Sequence, residues 1–141
     1  MKDLSSIDKI PTEVITGQIV AKANHYIAVP DKAGGRRIIK DKAIRDYERS
    51  FISQCRIYKG MQINVPFRLE VDFYYTSQRY DVDNSVKTLA DCLQYVGAIT
   101  NDNLLWDLQA RKHLDKFRPR VEFRILPVQI PTQAGELDLF P

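Results

Sequence analysis

The sequence predicts a single α/β (α+β) domain in which two main helices pack on a mixed, largely antiparallel sheet. The chain has 141 residues, enough for one hydrophobic core but not for two. Its periodic segments run in the order strands, helix, strand, helix, strands, which predicts a layer of helices on a sheet. Its 44% hydrophobic and 28% charged residues are ordinary values for a soluble globular chain.

Composition also limits the classes of function. The formal charge of +3 permits a polyanionic partner without requiring one. The first twelve residues are charged and polar, and no apolar run approaches membrane-spanning length, so we expect a cytoplasmic protein with no signal peptide and no membrane contact. Cys55 and Cys92 lie among apolar neighbours in predicted helices, which favours core thiols over a disulfide.

The two ends of the chain are predicted to lie outside the folded domain. Residues 1–12 show no periodicity and predict a flexible arm. Residues 129–141 contain two prolines, one glycine and two acids without a strand or helix pattern, and predict a flexible tail. We therefore expect the folded domain over residues 13–128. Its first strand is predicted over residues 13–22, with a bulge at Gly17.

A β-hairpin with a basic tip is predicted to follow. Two short apolar runs, residues 26–29 and 36–40, flank a loop that contains glycine. Cations of the tip and the return strand could contact the phosphates of a nucleic acid, although a basic cluster can also be a solvated loop. The candidates for such contacts are Arg36, Arg37 and Lys40.

The clearest helix is predicted over residues 41–59. Its apolar residues recur at steps of three and four, Asp41 can cap its start, and Gly60 follows its end. Its aromatic stripe is expected in the core. Residues 63–75 alternate strictly between apolar and polar, and predict an interior strand with Pro66 near its beginning.

A second helix and two further strands are predicted to complete the domain. The helix is expected over residues 84–97, with Asp83 or Asn84 at its N-cap and a glycine just past its last turn. The runs 104–112 and 120–126 alternate in the manner of strands. A short turn separates them, so we expect them to pair as an antiparallel hairpin.

The candidate site lies where the chain enters the second helix. Asp81 and Asp83 are two residues apart, so an extended backbone would point both carboxylates to one side. Lys87 and Asp91 are four apart and would share a helix face, and Asp102 follows the helix. Crowded carboxylates remain ionised when a cation lies between them, and these hard oxygen ligands suit Mg²⁺, with Mn²⁺ as a second choice, and not zinc.

Two interpretations of these residues remain open at this point. A divalent cation with a lysine near the attacked phosphate is the equipment for metal-assisted phosphodiester hydrolysis. Alternatively, Asp81 and Asp83 are turn and capping residues, and Lys87 and Asp91 form an exposed helix pair. The tetrapeptide alone does not decide between them, because short motifs of this kind are common.

A longer motif contains these acids: Asp81-x-Asp83-Asn84-x-x-Lys87-x-x-x-Asp91, then Asp102, then Lys112 in the following strand. This motif resembles that of the RusA family of Holliday-junction resolvases. Weaker support comes from Asn24-His25-Tyr26, which resembles an Asn-rich turn that precedes the hairpin in that family. The resemblance spans most of residues 13–127.

The resemblance implies a homodimeric, magnesium-dependent endonuclease that binds four-way DNA junctions and nicks two strands of like polarity symmetrically. It implies that Asp81, Asp83 and Asp102 are the metal-binding acids. Lys87 would be the catalytic lysine that stabilises phosphate charge or positions the attacking water, and Asp91 would orient Lys87.

One position departs from the family pattern. The family commonly has two adjacent aspartates where this chain has Asn101 and Asp102. The amide oxygen of Asn101 can coordinate a metal but carries no charge, so we expect weaker metal affinity or a changed metal preference. Asn84 and Lys112 are further supporting positions of the motif.

Geometry leaves the place of Asp102 open. A helix over residues 84–96 would carry the chain roughly 20 Å from Asp83, and residues 97–101 can return it by only about 17 Å. Either the site lies alongside the helix near Lys87, or Asp102 completes the site of a partner subunit.

Other polar residues receive less specific predictions. Arg79, Arg111 and Lys112 are expected to contact DNA near the site, with binding that weakens steeply as salt rises. His25 and His113 are expected to be hydrogen-bonding surface residues and not general bases.

The end of the tail carries a second motif. Residues 136–140, Glu-Leu-Asp-Leu-Phe, resemble the peptide that binds the bacterial sliding clamp, with glutamate in place of its usual glutamine. Leu137, Leu139 and Phe140 could therefore dock in a hydrophobic groove of the clamp. The alternative is that they pack on this protein's own core or on its dimer mate.

The sequence thus leads to one main hypothesis and two rivals. The main hypothesis is a magnesium-dependent, structure-specific endonuclease that resolves Holliday junctions in DNA recombination and repair, in a chromosomal or prophage context. The first rival is a catalytically silent DNA-binding accessory protein of a phage. The second rival is a metal nuclease that acts on another branched DNA or on RNA.

Overall fold

The computed structural model of the chain describes residues 9–21 and 26–128. The predicted flexible ends and two residues of the Asn-rich turn, Asn24 and His25, lie outside these ranges. Within them the elements, in chain order, are β1 (Glu13–Thr16), β2 (Tyr26–Pro30), β3 (Arg36–Lys40), α1 (Lys42–Gln54), β4 (Phe67–Tyr75), α2 (Val82–Tyr95), a 3₁₀ turn (Asp102–Leu104), β5 (Leu105–Leu114) and β6 (Arg120–Pro127).

Four of these strands form one mixed sheet in the order β1-β6-β4-β5. The pairings β1–β6 and β6–β4 are antiparallel, and the pairing β4–β5 is parallel. β2 and β3 pair separately as an antiparallel hairpin. These features confirm the predicted fold class and the predicted hairpin.

The predicted pairing between the last two strands is wrong, because β5 and β6 lie on opposite sides of β4. β4 buries every second residue from Phe67 to Tyr75, as a central strand does. The connection from β4 through α2 returns the chain in the same direction, so β5 is parallel to β4. The following turn starts where the N–H of Asp115 donates to the carbonyl of Tyr75 (2.9 Å), and it delivers β6 to the other edge of β4.

One face of this sheet packs against both helices. The stripe on α1 that includes Tyr47 and Phe51 is buried, which confirms its predicted place in the core. Cys55 and Cys92 are buried thiols that form no disulfide, as predicted. The cluster of buried residues includes Ile15, Tyr58, Leu69, Phe73, Leu89, Leu93 and Phe123.

The first helix is shorter than predicted because a buried carboxylate ends it. Glu13, only 5% exposed, accepts hydrogen bonds from the N–H groups of Arg56 (2.9 Å) and Ile57 (2.7 Å). These N–H groups would have continued the helical ladder if α1 had reached residue 59. α1 ends at Gln54 instead.

Two strand boundaries also differ from the predictions. β1 stops at Thr16, and Gly17 (φ 106°) turns the chain there, so the strand does not reach residue 22. β4 begins at Phe67, after Pro66, because proline has no N–H to give to a ladder. No helix in the described ranges is long and apolar enough to cross a membrane.

Candidate active site

The acidic pair lies at the start of α2. Asp81 is extended, as predicted, but the predicted helix start at Asn84 is wrong, because α2 begins at Val82 with Asp81 as its N-cap. The N–H and the hydroxyl of Ser85 both donate to the Asp81 carbonyl, at 3.3 and 3.0 Å. These bonds close the first helical turn two residues earlier than expected and place Asp83 within it.

Asp81 occupies a cap position without using its carboxylate as a cap. Its backbone is extended (φ −106°, ψ 134°), and its side chain accepts no capping hydrogen bond. The contrast is Asp41, whose carboxylate accepts from the N–H of Ile44 (3.1 Å) at the start of α1. The side chains of Asp81 and Asp83 are both exposed. The Asp81 carboxylate is therefore available for another partner.

Tyr75 connects the end of β4 to this helix terminus. Its hydroxyl donates to the Ser85 hydroxyl oxygen (2.7 Å), which lies in the same network as the Asp81 carbonyl. Burial raises the pKa of Tyr75, and the negative charges of Asp81 and Asp83 raise this pKa further. The Tyr75 hydroxyl thus connects the end of β4 to the backbone at the start of α2.

The loop between β4 and α2 is held by its own side chains and by β5. The ring of Tyr80 stacks on that of Tyr75, with 5.6 Å between centroids. Arg79 lies over the Tyr80 ring at 5.1 Å and donates to its hydroxyl. From β5, the ammonium of Lys112 donates to the carbonyl oxygens of Gln78 (2.5 Å) and Tyr80 (2.6 Å).

A second group of site residues lies farther along α2. Lys87, Asp91 and Asp102 line one surface depression, which confirms that Lys87 and Asp91 share a helix face. The backbone N–H of Asp102 donates to the side-chain carbonyl of Gln94 (3.1 Å). The chain therefore folds back alongside α2 and brings Asp102 beside Lys87.

The two groups do not merge into one cluster. Asp102 meets α2 at Lys87 and Asp91, about one to two helical turns beyond Asp83. Oxygen ligands of one Mg²⁺ lie about 2.0–2.1 Å from the ion, hence within about 4 Å of one another. Across residues 9–21 and 26–128, no three His, Cys, Asp or Glu side chains are grouped so that they could hold one ion.

Two supporting asparagines have defined places. Asn84 lies half-buried in the first turn of α2. The side-chain oxygen of Asn101, a predicted metal contact, accepts from the N–H of Asn103 (2.9 Å) and caps the 3₁₀ turn before β5. This hydrogen bond uses one of the two lone pairs of the Asn101 amide oxygen.

The cations of the hairpin divide into two kinds. Arg36 and Arg37 are exposed on β3. The ammonium of Lys40 instead contacts the Glu48 carboxylate (3.0 Å) and the Tyr95 hydroxyl (2.9 Å). Lys40 therefore anchors the hairpin to α1 and α2, and its ammonium is not displayed to solvent in the way the two arginines are.

The cations of β5 point to opposite faces of the sheet. Arg111 is paired with Asp72, and Lys112 with Phe73, whose side chain is buried under the helices. Arg111 thus lies on the face away from α2. On that same face His113 hydrogen-bonds Asp72 (2.7 Å), which confirms its predicted hydrogen-bonding role.

Sequence reasoning missed Tyr75 and Ser85. A signal for them exists, because Tyr75 is the last inward residue of an alternating strand and a buried tyrosine hydroxyl usually finds a partner. A serine in the first turn of the next helix is within reach of such a hydroxyl. The two residues fix the backbone of Asp81 and belong to the site as its support.

Comparison with known proteins identifies the family of the chain. A family model described as "Endodeoxyribonuclease RusA" matches residues 16–126. Crossover junction endodeoxyribonuclease RusA of Aquifex aeolicus (strain VF5) is 29% identical over 114 residues, which cover 79% of this chain and 87% of that protein. The family match runs from Thr16, the last residue of β1, into β6, and it includes both helices and both acidic groups. The chain therefore belongs to the RusA family of endodeoxyribonucleases.

Proposed function

We propose that this protein is a magnesium-dependent Holliday-junction resolvase that works as a homodimer. Its family membership and the name of its Aquifex relative support an endonuclease acting on crossover junctions. The observation that carries the proposal is the exposed pair Asp81 and Asp83 at the start of α2. There the Asp81 carboxylate is left free of capping, and Lys87 follows one turn later.

The donor set fits a hard divalent cation. Asp81, Asp83 and Asp102 offer exposed carboxylate oxygens, which are the ligands that Mg²⁺ and Mn²⁺ prefer. When bound, such an ion polarises a phosphodiester and lowers the pKa of a coordinated water. The sequence supplies no competing cysteine or histidine set near these acids.

We propose that the three acids come together across a dimer. Asp102 lies beside Lys87, separated along α2 from Asp81 and Asp83, and one chain gathers no three-acid group within the described residues. A second protomer can bring its own Asp102 to the exposed acidic pair of the first. Two such sites, related by the dimer axis, would nick two strands of a junction symmetrically.

The cations of the chain have separate roles in this proposal. Lys87 lies beside the acids and stabilises negative charge on the phosphate oxygens during cleavage. Asp91, one helical turn later in the same depression, orients Lys87. Arg36 and Arg37 on the hairpin and Arg79 before α2 contact the DNA backbone, which fixes the junction without reading its sequence.

The tail is proposed to recruit the enzyme to replicating DNA. Leu137, Leu139 and Phe140 lie outside the described residues, so the proposal rests on their sequence pattern alone. Docking of this segment in the sliding clamp would raise the local concentration of the nuclease. Capture of the clamp by the full chain, and its loss on deletion of residues 136–141, would support this partner. Equal capture by both forms would exclude it.

The test of the main proposal is cleavage of a synthetic mobile four-way junction beside linear duplex of the same sequence, with and without Mg²⁺. We expect paired nicks in the junction only, and only with the metal. Asp83→Asn should retain junction binding and lose cleavage by at least about 100-fold, because removal of one carboxylate ligand weakens metal binding. Cleavage that survives this substitution would show that the acids are not the metal ligands.

A further inference from the structure

Lys112 has contacts that suit a structural anchor. Its ammonium donates to the carbonyl oxygens of Gln78 and Tyr80, at 2.5 and 2.6 Å. The same ammonium lies 5.7 Å from the centre of the Tyr75 ring. An ammonium has three N–H donors, so two of the three are directed at the loop backbone.

The loop that Lys112 holds leads directly to the acidic pair. Tyr80 precedes Asp81, and the ring of Tyr80 stacks on that of Tyr75. The peptide bond between Tyr80 and Asp81 is planar and rigid. The position of the Tyr80 carbonyl therefore determines where the Asp81 backbone, and with it the N-cap carboxylate, is placed.

Lys112 is poorly arranged for a phosphate contact. A phosphate would compete with two carbonyl oxygens already bound to the ammonium. Its neighbour Arg111 lies on the opposite face of the sheet and is exposed. The two cations are adjacent in the sequence, yet they can be separated experimentally because only one of them holds the loop.

We propose that Lys112 is a positioning residue for the metal-binding acids. It holds residues 78–80 so that Asp81 and Asp83 have the geometry that one divalent cation requires. This inference rests on the proposed function of Asp81 and Asp83 as metal ligands. Loss of the ammonium releases the loop, weakens metal binding and slows cleavage, and it leaves junction binding intact.

The decisive experiment compares Lys112→Met with Arg111→Met, because each removes one cation from adjacent positions of β5. Junction affinity is measured without divalent metal at several salt concentrations, and single-turnover cleavage is measured against Mg²⁺ concentration. We expect Lys112→Met to keep the wild-type affinity and salt dependence, and to need about tenfold or more Mg²⁺ for half-maximal rate. Arg111→Met should leave the Mg²⁺ requirement unchanged.

Arg37→Met, on the hairpin proposed to contact the DNA backbone, serves as the standard for a lost phosphate contact. Loss of one phosphate contact weakens junction binding and lowers the slope of log affinity against log salt by about 1. If Lys112→Met instead weakens junction binding with the same reduced slope and an unchanged Mg²⁺ requirement, the lysine is a phosphate contact and the proposal is overturned. Lys112→Arg can still donate to both carbonyl oxygens, so its Mg²⁺ concentration for half-maximal rate should lie close to that of the wild type.

A readout that does not depend on cleavage separates this inference from the proposed function. Amide hydrogen exchange of residues 77–83 should accelerate at least about tenfold in Lys112→Met and stay unchanged in Arg111→Met. Mn²⁺ binding, followed without DNA, should weaken in the first variant only. If wild-type protein neither binds Mn²⁺ nor cleaves junctions, the proposed function fails, and hydrogen exchange still reports on the loop. Unchanged exchange in Lys112→Met would refute the anchoring role.

Discussion

Removal of the Tyr75 hydroxyl tests whether β4 fixes the start of α2. Tyr75→Phe keeps the buried ring and its stacking with Tyr80 but removes the donor of the 2.7 Å bond to Ser85. A net hydrogen bond contributes about 0.5–1.5 kcal/mol, and a buried group left without its partner costs about 1–3 kcal/mol. We therefore expect the free energy of unfolding to fall by about 2 kcal/mol, and Tm by about 7 °C.

The assay combines thermal unfolding with hydrogen exchange of the first turn of α2. Tyr74→Phe is the matched control, because Tyr74 is the neighbouring residue, points to the opposite face and stacks on His113 instead. Exchange of the Ser85 amide should accelerate in Tyr75→Phe and stay at the wild-type rate in the control. Equal Tm values and equal exchange rates for the two variants would refute the role given to this hydroxyl.

Three further predictions concern stability and reactivity. Glu13→Ala should lower the free energy of unfolding by about 3 kcal/mol or more, measured by urea titration, because two backbone N–H groups lose a buried carboxylate. Burial, and then the hydrogen bond to Glu13, raise the pKa of Cys55 to about 12. Cys55 in the native protein should therefore be alkylated at pH 8 at least about 100-fold more slowly than in urea. The same thiol should lower the free energy of unfolding as pH rises from about 9 to 12, because the thiol ionises in the unfolded chain before it ionises in the native protein. Gly97→Ala should lower the free energy of unfolding by about 1–2 kcal/mol in the same urea titration, because Gly97 has φ 70° and an added Cβ would lie 2.7 Å from the Gln62 side-chain nitrogen. An unchanged urea midpoint would contradict this strain.

Elements with a strong local period were predictable from the sequence. The alternation from Phe67 to Tyr75 and the stripe on α1 are each repeated several times, and their burial follows from that repetition. Gly97 also marked the end of α2, since it adopts the left-handed conformation that glycine tolerates best. These predictions needed no information from distant parts of the chain.

The order of strands and the end of α1 depended on distant contacts. Whether β6 pairs with β5 or with β4 is decided by the central position of β4, which no local pattern reveals. α1 ends where Glu13, more than forty residues earlier, accepts two of its next N–H groups. A side chain at that separation leaves no periodic signal in the helix itself.

The candidate site was predictable in its residues and not in its geometry. The spacing from Asp81 to Asp91 placed Lys87 and Asp91 on one helix face, and the structure agrees. The sequence predicts a helix from Asn84, whereas the bonds from Ser85 to the Asp81 carbonyl start α2 at Val82, and Tyr75 on β4 supports this Ser85 hydroxyl. The separation of Asp102 from the pair became visible only in three dimensions.

The most direct test of the shared acidic site uses dimers that combine one Asp81→Asn chain with one Asp102→Asn chain. Each homodimer should be inactive, because every site lacks one carboxylate ligand. In the mixed dimer, the Asp102→Asn chain supplies an intact Asp81 and Asp83 while its partner supplies an intact Asp102, so one complete site forms. We predict that the mixed dimer nicks one strand of a four-way junction in the presence of Mg²⁺; a mixed dimer that binds the junction and cuts neither strand would contradict the sharing of acids between protomers.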